Sequence, residues 1–193
     1  CCSACIAGEV PRAIIAGDMK GAEEAIMWHK KVFGDDFYLE VQQHKTEIPG
    51  QSQEVYERQI VANEGIFELA AKTGTKVVAT NDVHYVKQED AEAHDVLLAV
   101  QTATSINDEN RMRFANDQFY LKSYEEMAEK FSDCPEALAN TNIIAERCNV
   151  ELEFGHLLLP EFAVPEGFDA ESYLHHLCKE SLVKKYPDAT KEV

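Results

Sequence analysis

The sequence predicts an α/β fold of parallel strands joined by helical crossovers, followed by a helical C-terminal extension. Two observations carry this. Three segments with strand character, ending near Cys5, Gln42 and Asn81, are separated by stretches with helical periodicity or helix-boundary residues. The resulting order of strand, helix, strand, helix, strand, helix favours parallel pairing, because parallel neighbours require a long crossover.

Taken in order, Cys1-Cys2-Ser3-Ala4-Cys5-Ile6-Ala7 is small and apolar and reads as the end of a buried strand, so the chain is expected to begin inside a domain. Pro11 and Gly17 bracket a short helix, and Asp18 opens a longer one through about Val32. Phe37 to Gln42 is aromatic and β-branched with alternation, a strand. From Ser52 to Lys72, apolar residues recur at helical spacing and Gly74 supplies the stop. Lys76 to Asn81 is a short buried strand, and Glu89 to Thr102 a helix. Ser123 is placed to cap a helix from about Tyr124 to Phe131, with another from Pro135 to Cys148. The Pro-bearing stretch Leu157 to Pro165 reads as an extended linker before a last helix, about Ala170 to Lys185.

With 193 residues and 45% hydrophobic content the chain can fill one ordinary core plus an appendage. It lacks an apolar run long enough to span a bilayer and a signal-peptide pattern, so a cytoplasmic protein with no membrane partner is expected. Lys and Arg number 18 against 35 Asp and Glu, a formal charge of −17, which repels a phosphate backbone; this chain alone is not expected to grip DNA. Six scattered cysteines form no disulfide framework, and Cys2-x-x-Cys5 lacks a second such pair or a thioredoxin-like setting.

The sharpest local signal is Asp82-x-His84. Side chains two apart on an extended backbone point the same way, and a carboxylate with an imidazole suits Zn, Mn or Fe. The pair follows a strand at the carboxyl edge, where sites assemble in parallel α/β folds. A turn-capping Asp beside an exposed His is the ordinary alternative. Cys5, at the end of the first strand, would share that edge and could add a thiolate; otherwise it is a small buried hydrophobe. Glu40, Gln42 and His44 alternate along one face of the middle strand. His94 reads as a packing residue and His175 and His176 as surface. No phosphate loop, Ser-His-Asp arrangement or H-E-x-x-H helix occurs.

Several stretches together resemble one family. Ser3-Ala4-Cys5-Ile6-Ala7-Gly8-Glu9-Val10-Pro11-Arg12-Ala13, Val78-Ala79-Thr80-Asn81-Asp82-Val83-His84-Tyr85, Glu89 to Leu98, Phe119-Tyr120-Leu121-Lys122-Ser123 and Ile144 to Val150 are similar to bacterial DNA polymerase III alpha subunits, in the same order. The resemblance implies that residues 1–153 are the later part of a polymerase and histidinol phosphatase (PHP) domain, a partial, distorted α/β barrel. Residues 154–193 would then lead toward the polymerase palm.

It further implies that Cys5, Asp82 and His84 are ligands of a Zn or Mn site whose His-x-His element lies upstream. The carboxylates holding catalytic Mg would lie downstream, so the chain alone should be inactive as a polymerase. The intact protein would use DNA and deoxynucleoside triphosphates, with a sliding clamp and a proofreading exonuclease subunit as partners. The PHP region would be a 3′ to 5′ exonuclease or a scaffold for the proofreading subunit. The alternative is a stand-alone PHP-type metal-dependent phosphoesterase.

Overall fold

The computed structural model describes residues 1–188, which fall into two compact units, the first ending at Asn149 and the second beginning at Val150.

In the first unit, α1 (Glu9–Ile15) and α2 (Met19–Phe33) follow one another closely, and the Asp18 carboxylate accepts the Gly21 amide at 2.8 Å to cap α2. Strand β1 (Tyr38–Val41) leads into α3 (Glu54–Thr73), which stops at Gly74 in the left-handed conformation, φ 64°. Then come β2 (Lys76–Ala79), α4 (Ala91–Gln101), α5 (Tyr124–Lys130) and α6 (Pro135–Arg147). Helix α5 opens on the expected Ser123, in a reciprocal capping box with Glu126.

Strands β1 and β2 are parallel, with Tyr38 opposite Lys76 and Val41 opposite Ala79. Cys2 bridges Tyr38 in parallel, through Ser3 N donating to the Tyr38 carbonyl at 3.0 Å and Tyr38 N to the Cys1 carbonyl at 2.9 Å. The three predicted strands are therefore parallel neighbours in the order Cys2, β1, β2. Past β2, a separate parallel bridge joins Tyr85 and Tyr120.

Three details differ from expectation. The first segment is a single bridge at an exposed edge, with Cys1 and Cys2 exposed and only Ser3 buried among its first four residues. The third strand ends at Ala79 rather than Asn81, because the chain leaves the ladder and Asp82 turns to φ 46°. The helix before Thr102 starts with a 3₁₀ turn at Gln88–Asp90.

The core gathers Val10, Ile14, Ile26, Phe37, Leu39, Val41, Ile66, Leu69, Val77 and Leu138 between the sheet and helices α1, α2, α3 and α6. Leu39 and Ile26 are fully excluded from water, and burial of such a side chain contributes about 2 kcal/mol. Helices α1 and α3 approach closely at Gly65, where an added Cβ would stand 2.4 Å from Ile14 Cγ2. Helix α6 lies against β2, with the buried Asn140 donating to the Val77 carbonyl at 2.8 Å. All six cysteines are free thiols.

The second unit holds α7 (Ala170–Lys185), capped by Asp169 and Ser172, and preceded by an extended, Pro-bearing stretch. Phe168 and Phe162 pack on Tyr173 within this unit. Among the described residues, no helix is long and apolar enough to cross a membrane.

Candidate functional site

The carboxyl ends of β1 and β2 carry a continuous polar network. Thr80 Oγ1 donates to Glu40 Oε1 at 2.6 Å, and Gln42 Nε2 to Glu40 Oε1 and Thr80 Oγ1, both at 3.0 Å. The alternating Glu40, Gln42 and His44 thus do face a common edge, although the regular strand ends at Val41.

His44 is the hub of this edge and is 1% exposed. Its Nδ1 accepts the Gln59 side-chain amide at 2.7 Å, its Nε2 donates to the Asn81 carbonyl at 3.0 Å, and its ring stacks on Phe119. Burial, opposed by the Asn81 hydrogen bond, holds its pKa down at about 4, so the ring is neutral at ordinary pH. Asn81 in turn donates to the carbonyls of Gln118 and Tyr120, at 3.0 and 2.8 Å. These bonds fix the turn from which Asp82 and His84 project.

Asp82 and His84 are brought together, but by that left-handed turn rather than by an extended backbone. His84 Nδ1 lies 2.7 Å from the Asp82 carbonyl oxygen and 3.9 Å from Oδ1. A proton on Nδ1 satisfies the short contact and leaves Nε2 free as a donor to a metal, the usual way a ligating imidazole is oriented. Both side chains are partly open to solvent. The His84 ring also packs against Phe114 and His94, with centroids at 4.3 and 5.7 Å. His94 is held below the usual histidine range, first by desolvation and then by the charge on His84.

Beside this cluster, the Arg111 guanidinium forks onto the Asp95 carboxylate, with Nη1 donating to Oδ1 at 2.7 Å and Nη2 to Oδ2. Asp95 is pulled below the ordinary carboxylate range by that hydrogen bond.

Cys5 lines a narrow cleft with Glu40, Gln42 and Asn63 at this same strand edge, but is not grouped with Asp82 and His84. Among the described residues, no group of three or more His, Cys, Asp or Glu side chains could hold a metal ion. Asp82 and His84 thus stand as an adjacent pair, with no third such side chain grouped with them among the described residues. Sequence reasoning missed the roles of His44, Asn81 and Gln59; the alternation of His44 with Glu40 and Gln42 and the adjacency of Asn81 to Asp82 were the local signs.

This architecture, short parallel strands with polar residues at their carboxyl edge, falls in the α/β class, and the PHP domain family matches residues 1–44. The chain is 40% identical to DNA polymerase III subunit alpha of Borreliella burgdorferi over all of its length. It is 38% identical to that of Treponema pallidum over all of its length and 39% identical to that of Pseudomonas aeruginosa over 95%. The chain spans only 15 to 16% of the length of these relatives. Through its whole length it is similar to a segment of DNA polymerase III alpha subunits, and its first 44 residues match the PHP domain family.

Proposed function

We propose that this chain works as the PHP segment of a replicative DNA polymerase alpha subunit, whose intact form carries out template-directed DNA synthesis in the cytoplasm. The observation that carries the reading is similarity over 95 to 100% of the chain to proteins named DNA polymerase III subunit alpha. Residues 1–153 would be the later part of a distorted barrel and 154–193 the approach to the palm. The substrates would be primed DNA and deoxynucleoside triphosphates, with a sliding clamp and a proofreading exonuclease subunit as partners. Mg ions would serve a polymerase site formed by other residues of the intact protein.

Within the segment, Asp82 and His84 would each give one donor atom to a Zn or Mn ion, completed by residues elsewhere in the intact protein. Cys5 would join them only after a rearrangement of its cleft. A bound ion of this kind would supply Lewis acidity or an activated water for exonuclease chemistry. Asn81 and His44 would hold the turn that orients the two donors.

A second reading, in which the region serves as a scaffold for the proofreading subunit, would be supported by binding of that subunit without any bound metal. Primer extension tests the main proposal. The intact protein encoded with this segment should extend a primed template, and the 193-residue chain alone should not, given its charge of −17. Failure of the purified intact protein to incorporate nucleotides would refute the assignment.

A further inference from the structure

A cavity of about 390 Å³ opens between the 50–52 segment, the first turns of α4 and the 113–117 segment. Such a volume suits a small molecule or one protruding group of a larger one. Three aromatic rings, Tyr85, His94 and Phe114, form a contiguous part of its wall. The His94 centroid lies 5.2 Å from each of the other two, at interplanar angles of 45° and 65°. All three are half-buried, so each keeps ring surface to cover, and a flat ring entering the cavity can stack on one and meet another edge-on.

The permanent charges on the lining nearly cancel. Asp95 is matched by the Arg111 guanidinium, and the other two such side chains are Asp117 and Arg113, one of each sign. An anion would meet the Asp117 carboxylate and a cation the Arg113 guanidinium, so the cavity suits a neutral ligand.

Part of the lining's hydrogen-bonding capacity is spent and part is not. The buried Asp117 carboxylate accepts from Thr46, Gln88 and Gln118, and the Asn116 amide donates to the carbonyls of His44 and Ser52. Gln51 Oε1 accepts from the Thr46 hydroxyl and the Asp117 amide, yet its Nε2 has no acceptor among the described residues. The Tyr85 hydroxyl accepts the Phe119 amide at 3.3 Å and keeps its own proton to donate. His94 makes no hydrogen bond among the described residues, and the exposed Arg113 gives one, to the Asp108 carbonyl at 3.4 Å. Stacking surface is thus combined with several unspent donors and an imidazole able to donate or accept.

We propose that this cavity receives an unpaired nucleobase, stacked on the aromatic wall with its polar edge toward Gln51, Tyr85 and Arg113. A nucleobase is neutral and planar and carries acceptors around its edge, which are the properties the lining answers, and stacking on aromatic side chains accommodates every base. The choice of a nucleobase among neutral heterocycles rests on the proposed function, in which the intact protein handles DNA. A strand end and a free nucleotide present the same group, and with a chain charge of −17 the base rather than the phosphate supplies the attraction.

Saturation-transfer NMR of the 193-residue chain with thymidine and deoxyadenosine, which carry no phosphate, tests this against deoxyribose and phenol. Base protons should receive saturation, and the two control compounds should not. The His94 ring signal, identified by its loss in His94→Gln, should shift as nucleoside is added, while those of His175 and His176 stay in place. Phe114→Leu should weaken binding by about tenfold, the worth of one stacking contact. Because Phe114 is half-buried, the exposed Arg113→Gln provides a second variant, expected to weaken binding by about threefold or more with the thermal midpoint unchanged. No saturation of the nucleosides, or affinity unaltered by both substitutions, would overturn the site, and equal saturation of phenol would overturn the nucleobase. Preference for thymidine 5′-monophosphate over thymidylyl-thymidine would assign the site to free nucleotides, and parity or the reverse to strand ends; either upholds the base. Nucleoside binding is read without primer extension, so this site and the polymerase assignment fail separately.

Discussion

His44 and Asn81, 37 residues apart in the chain, are joined from ring nitrogen to carbonyl oxygen at 3.0 Å, so the ends of β1 and β2 are tied by a side chain where their ladder stops. The bond requires a proton on Nε2, and the Gln59 amide requires Nδ1 to be an acceptor, so the structure selects neutral imidazole.

Acid should therefore weaken the fold through His44. Its folded pKa of about 4 lies below the ordinary 6.5, so the unfolded chain binds the proton more readily. The stabilisation is complete above pH 6.5 and is lost as pH falls from there toward 4, by about 3 kcal/mol over the whole window. Urea unfolding at pH 7 and at pH 4.5 should show this loss in the parent chain and a smaller one in His44→Gln. Equal pH slopes in both would contradict the assignment.

Gly65 and Ile14 should be energetically coupled. An Ala at 65 gains helix propensity of about 1 kcal/mol, but its Cβ meets Ile14 Cγ2 in a packed core, where overpacking costs about 1–3 kcal/mol. Gly65→Ala should be net destabilising in the parent and stabilising when Ile14 is already Ala. A double-mutant cycle by chemical denaturation would measure this, and additive effects would show that α1 and α3 part without strain.

Asn140→Ala should cost about 1–3 kcal/mol, because it leaves the Val77 carbonyl unpaired where α6 covers β2. Asn140→Asp should be no better, since a carboxylate cannot donate. Thermal denaturation of the two variants beside the parent would check both statements; a fully stable aspartate variant would mean that this bond does not hold α6 in place.

The proposed ligand role of Asp82 and His84 should show itself only in the intact protein. Zinc or manganese titration there should lose about tenfold or more in affinity on Asp82→Ala or His84→Ala, while the isolated 193-residue chain should bind weakly whichever residue it carries. Undiminished affinity in the doubly substituted intact protein would show that Asp82 and His84 are not the ligands.

The helices were largely legible from the sequence. Asp18, Gly74, Ser123 and Pro135 mark boundaries through bonds or dihedral preferences that act within a few residues, so they survive without knowledge of the fold. The strands were readable in place and direction but not in length, since a strand lasts only as long as its neighbour supplies partners. The i, i+2 argument found Asp82 and His84 for an incomplete reason: it assumed an extended backbone, and Asp82 is left-handed.

What the sequence by itself determined is the alternation of elements and most of their caps, because each is set by neighbours along the chain. Tertiary structure alone decided that Cys5 is not grouped with Asp82 and His84, that His44 is a neutral hub and that Lys122 is buried beside Gln118 and Tyr120. Those outcomes depend on burial and on which segments the crossovers bring to the strand ends. Burial shifts a proton equilibrium by amounts that no local pattern encodes.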